Sequence, residues 1–143
     1  MRFTNSITIH RSRHEVFAYL AELENLPHWN YAIKETRKLD AGPVAVWSRF
    51  HQVRTVPTYQ QESLEVVELE PDRKLTVRGT LNTMPAELDY LLESDGEGTV
   101  LTNSVDLTLR GAVALLSPIA TRQIKVAVAA NLEVLKEILE HPA

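Results

Sequence analysis

Leu88-Asp89-Tyr90-Leu91-Leu92-Glu93-Ser94-Asp95-Gly96-Glu97-Gly98-Thr99-Val100-Leu101-Thr102-Asn103-Ser104-Val105 is the stretch that decides the fold. Asp95-Gly96-Glu97-Gly98 is the strongest turn signal in the chain, because aspartate bonds its own backbone and glycine tolerates the φ values a tight turn needs. The residues alternate on either side of it. Leu88, Tyr90 and Leu92 oppose Asp89, Leu91 and Glu93; Leu101, Asn103, Val105, Leu107 and Leu109 oppose Thr102, Ser104, Asp106 and Thr108. A period of two on both arms of a turn predicts an antiparallel hairpin with one apolar face and one wet face.

The same grammar extends upstream. Ala41-Gly42-Pro43, Val56-Pro57-Thr58, Glu70-Pro71-Asp72-Arg73 and Asn82-Thr83-Met84-Pro85 punctuate the chain from Ala32 to Arg110 at hairpin intervals, which gives about six strands. Before them, Phe3, Ile7 and Ile9 alternate with polar residues as a further strand. Ser12-Arg13-His14-Glu15 is a capping box ahead of Val16, Phe17, Leu20 and Leu23 at helical spacing. Pro27 ends that helix and suits the first turn of a second short one. Beyond Gly111 the period lengthens: Ile124, Val128, Leu132, Leu135 and Leu139 form one stripe, with Ala127 and Ile138 beside it, on a helix ending near Glu140. The plan is α+β, a curved antiparallel sheet with its apolar face covered by the long terminal helix. Two curved surfaces meet along only part of their length, so a gap between them is expected.

The length of 143 residues suits one domain, 1–143. Hydrophobic residues at 44% and charged residues at 24% belong to an ordinary globular protein, and a formal net charge of -4 with scattered basic residues argues against nucleic acid. Without cysteine there is no disulfide, thiolate metal site or cysteine nucleophile. No apolar run reaches membrane-spanning length and the first residues carry no secretory pattern, so the expected location is the cytoplasm, without membrane insertion. Five glycines with no Gly-rich loop give nucleotide phosphates no cradle, the five histidines show no metal-ligand spacing, and no serine sits in a nucleophile elbow.

The strand and capped-helix opening, Glu24-Asn25-Leu26-Pro27-His28-Trp29-Asn30, the strand end Val66-Val67-Glu68-Leu69-Glu70-Pro71, Gly98-Thr99 and the terminal Asn131-Leu132-Glu133-Val134-Leu135-Lys136-Glu137-Ile138-Leu139-Glu140 together resemble one family. It is the polyketide cyclase/dehydrase group of the START-like (SRPBCC, Bet v 1-like) helix-grip superfamily, and the resemblance covers essentially the whole chain. It implies a seven-stranded sheet gripping the last helix, two short helices after the first strand, and a cavity opening near the short helices and hairpin ends. It also implies a small hydrophobic ligand (polyketide-like, acyl or isoprenoid) and no cofactor. Many relatives look dimeric, so a homodimer is one option.

Site candidates follow from strand parity. Counting back from Glu70-Pro71, Gln60 and Glu62 share a face with Leu64 and Val66; Tyr90 and Asn103 lie among aliphatics on theirs. These four polar groups either converge on a ligand's oxygens or are satisfied locally, with Asn103 and Glu62 bonded to each other or to trapped water and Gln60 emerging at the strand end. Glu62 is the candidate general acid or base, a carboxylate desolvated in an apolar pocket with no charged partner placed beside it; Asn103 or Tyr90 would polarise a carbonyl. The strand Val46–Gln52 admits two faces. We favour Phe50 inward with Val46, Ser48 and Gln52, and the alternative brings Arg49 and His51 inward, with Arg49 holding a carboxylate. The resemblance puts Trp29 near the cavity wall, where it is a flat wall or a plug; Phe17 and Tyr31 read the same way, and Trp47 as an outer or interface residue. Val128 and Leu132 are the helix contacts to a ligand. Ala112–Ile119 is either a prelude over the pocket mouth or a patch for self-association.

Three functions follow: a carrier of a small hydrophobic molecule, a cofactor-independent cyclase or dehydratase using Glu62 as proton shuttle in the same pocket, and a protein-interaction module. A cavity of several hundred Å³ separates the first two from the third.

Overall fold

Each break in the alternation becomes a connection between antiparallel strands. β1 (Arg2–Ile9) leads into α1 (Arg13–Ala21), a 3-10 turn (Leu23–Asn25) and α2 (Leu26–Trp29). Then come β2 (Ile33–Lys38), β3 (Arg49–Arg54), β4 (Gln60–Glu70), β5 (Lys74–Leu81), β6 (Met84–Asp95), β7 (Gly98–Leu107) and α3 (Ser117–Glu140). The computed structural model describes residues 1–111 and 117–142. All seven strands form one antiparallel sheet in the order β1-β7-β6-β5-β4-β3-β2. This is the α+β helix-grip plan expected from the sequence.

The hairpin that fixed the reading pairs Asp95 with Gly98 and runs its register to Ala86↔Leu107, with Gly96 at φ 61°. The β5–β6 turn is tighter than its punctuation suggested. Asn82 and Thr83 alone make it, at φ 49° and 69°, and Met84 and Pro85 already belong to β6. The other departure is at β3, which begins at Arg49 and reaches Arg54, not Val46 to Gln52. Trp47 lies before it with φ 75°, its N–H donating to the Val66 carbonyl at 2.7 Å, so Val46–Ser48 is a bend and not strand. Within β3 the favoured parity is the observed one. Phe50 and Gln52 are buried, while Arg49 points outward and pairs with Glu65 at 3.5 Å, which removes it as a cavity residue.

The Ser12 box forms with one exchange of partners. The Ser12 hydroxyl accepts from the Glu15 N–H at 3.2 Å and donates to the Glu15 carboxylate at 3.1 Å, so the glutamate takes the hydroxyl proton and not the backbone N–H. Pro27 stands in the first turn of α2, where its missing N–H costs nothing, and α2 delivers Trp29 to the interior.

α3 is fastened unequally. Leu132 and Leu135 are at most 1% exposed, against a core of Ile9, Val16, Leu20 and Leu101. At this end the Glu140 carboxylate accepts from the His10 N–H at 2.7 Å, its carbonyl accepts from Arg11 Nη2 at 2.9 Å, and Lys136 Nζ donates to the Thr8 carbonyl at 2.9 Å. Toward the other end Ile124, Ala127 and Val128 are only partly buried. The helix lies tightly on the sheet along one half and stands off along the other. Of the apolar segment Ala112–Ile119, residues 112–116 fall outside the described part, and Ile119 is exposed.

Candidate functional site

Under the raised half of α3 lies a cavity of 360 Å³. Its floor is sheet, with Val77 of β5, Leu88 of β6 and Val105 of β7; Ile124 and Val128 of α3 form the roof; Leu26 and Trp29 of α2 close one side. Exposed Tyr31, Val56, Pro57 and Gln123 make the rim. The strands put these groups here because their apolar parity faces α3, and the short helices do so because Pro27 turns the chain back toward the sheet.

Tyr90 and Asn103 stand opposite each other in the β6–β7 register and both line the cavity. Asn103 donates through Nδ2 to the Asp89 carbonyl at 3.1 Å. Its Oδ1 and the Tyr90 hydroxyl make no hydrogen bond to any described residue, yet among the described residues no side-chain nitrogen or oxygen sealed from solvent lacks a partner, so both oxygens face the open space. Burial pushes the Tyr90 phenol well above its usual range, and it remains a neutral donor.

Glu62 is placed differently from its expectation. It is 3% exposed but is not part of the cavity wall. Its Oε1 accepts from Gln52 Nε2 at 2.9 Å and Arg54 Nε at 3.1 Å, and its Oε2 accepts from Arg54 Nε at 2.9 Å and the Asn82 N–H at 2.5 Å. The carboxylate therefore has a charged partner, Arg54, which the sequence reading does not place beside it, and both of its oxygens are engaged. Nor does it bond Asn103, which belongs to a separate group on β6 and β7. Arg54 is what the sequence reading missed. It follows Phe50 and Gln52 in parity and lines the cavity, and it lies two residues beyond Gln52, where the expected strand stops.

The remaining candidates divide. Trp29 and Val128 are on the wall. Phe50 and Leu132 are sealed in the core and do not reach the cavity; Gln60, half-buried at the start of β4, is also off the wall, with Nε2 3.5 Å from the Thr58 hydroxyl. Phe17 is core and Tyr31 is rim, while Trp47 is exposed on the outside. Among the described residues no group of three or more His, Asp or Glu is placed to hold a metal ion, and no described helix is long and apolar enough to cross a membrane.

A family model described as polyketide cyclase / dehydrase and lipid transport matches residues 1–140. No functionally curated protein matches the chain. Among solved structures, TTHA0849 from Thermus thermophilus superimposes with a TM-score of 0.78 at 14% identity, over 97% of this chain and 97% of that one. The di-domain ARO/CYC StfQ from the steffimycin biosynthetic pathway gives 0.79 at 16% identity, with 97% of this chain covering 50% of that one. A START superfamily protein from Mycobacterium smegmatis gives 0.70 at 14% identity, over 94% of this chain and 98% of that one. At these identities the likeness is one of fold.

Proposed function

The chain belongs to the polyketide cyclase/dehydrase and lipid transport family, and from that premise we propose that it binds a small, largely apolar molecule beneath α3. The observation that carries the reading is the cavity of 360 Å³, walled by aliphatic and aromatic side chains with a few inward polar atoms. Burying the ligand would supply most of the affinity, at about 25 cal/mol per Å² of apolar surface. Tyr90 and Asn103 would orient it, the phenol donating to an oxygen and Asn103 Oδ1 accepting from a hydroxyl. Native mass spectrometry of the protein purified from its own host tests this directly. A co-purifying hydrophobic mass is the expected result, and a clean apo spectrum together with no uptake of added apolar compounds would refute the reading.

A second reading, a cofactor-independent cyclase or dehydratase in the same cavity, is favoured by one observation: the neutral Tyr90 hydroxyl faces the cavity without a described partner. It would polarise a carbonyl. We do not assign Glu62 as its proton shuttle, since the carboxylate lies behind the wall and is engaged there by Arg54, Gln52 and the Asn82 N–H.

A further inference from the structure

The wall of the cavity can be read for charge. Among its described residues Arg54 is the only one charged at neutral pH; there is no Asp, Glu, Lys or His. Arg54 is itself balanced. Its side chain is 12% exposed, and Nε sits 2.9 Å from the Glu62 carboxylate, which lies behind the wall. Glu62 is held there by Gln52 and the Asn82 N–H, and Gln52 is fixed in turn by accepting from the Thr36 hydroxyl at 3.3 Å. Only the Nε edge of the guanidinium is engaged. Nη1 and Nη2 make no hydrogen bond to a described residue, and they are the part of Arg54 left to meet a ligand.

We propose that the ligand of this cavity is electrically neutral and places a carbonyl-type oxygen against the Nη edge of Arg54. The inference rests on the binding reading above and names its ligand class. A carbonyl oxygen accepts from a charged donor, a stronger bond than a neutral pair makes, and adds no charge. A carboxylate would be the second anion against one cation, and the cost of desolvating it is not recovered from a guanidinium already neutralised by Glu62. A plain hydrocarbon would cover the Nη groups without giving them an acceptor. The site thus selects ketones, esters or amides with an apolar body over free acids and alkanes.

Three probes of matched length decide it: 2-nonanone, nonane and nonanoate, each titrated near neutral pH into the 15N-labelled full chain and followed by amide and guanidinium shifts. The expected result is that 2-nonanone binds about tenfold more tightly than either of the others, with the Arg54 signals moving. In Glu62→Gln, which leaves the Arg54 charge unbalanced, the order of ketone and acid reverses. Should that variant fail to fold, the uncharged double variant Arg54→Gln with Glu62→Gln decides instead, and the ketone's advantage over nonane falls to about twofold or less. Nonanoate matching the ketone in the unsubstituted protein, or nonane matching it, overturns the inference while leaving the binding reading intact. Binding of none of the three overturns both.

Discussion

Glu62 receives hydrogen bonds from Gln52, Arg54 and Asn82, so removing its carboxylate strands a guanidinium and a turn N–H together. Glu62→Ala is expected to destabilise the fold by about 3 kcal/mol, measured by urea unfolding, because a nearly buried charge loses its partner. Much of this was legible at the residue scale. Counting parity from a turn put Glu62, Tyr90 and Asn103 among the aliphatics, and the more apolar of two possible faces favoured Phe50; all four are buried. Partnership was not legible. Arg54 reaches Glu62 diagonally across the β3–β4 register, and a register is a long-range property that no local pattern displays. The positive φ of Trp47 was hidden for a related reason: no glycine or asparagine marks it, and surrounding contacts impose the conformation.

At the scale of elements, α3 is two different objects on one stripe. Leu135 is fully buried, and Leu135→Ala is expected to cost about 3 kcal/mol through the lost transfer energy and the void left behind. Val128 borders a space that already exists, so Val128→Ala should cost about 1 kcal/mol or less while changing the affinity for apolar compounds. Thermal melts and ligand titrations on the two variants check the contrast. The helical period announced the stripe but not its division. Where a helix parts from a sheet depends on the curvature of the sheet, and curvature is set by all seven strands at once. The sealed position of Leu132, expected at the ligand, has the same origin.

For the whole molecule, Glu140 ties the end of α3 to the junction of β1 and α1. The His10 N–H, followed by the charge of Lys136 and of the nearby histidines His10 and His141, holds its carboxyl below the usual range. A carboxyl depressed by folding adds stability above the ordinary glutamate range and loses it as pH falls through its lowered folded value. Glu140→Gln should therefore be less stable than the parent at neutral pH, with the gap closing on acidification below that range. Urea midpoints measured across pH check it, and a gap that persists in acid would count against the tie. At this scale the order of strands and helices was the most legible feature, since turn chemistry and period are local.

The unequal fastening of α3 has one more consequence. Amide protection follows local contact, so the free energy of opening rises along the helix from its first turns toward Glu140. Lifting the first turns of α3 above Val77, Leu88 and Val105 is expected to cost less than unfastening its end at Glu140, and the floor beneath them is wetted while that end stays in place.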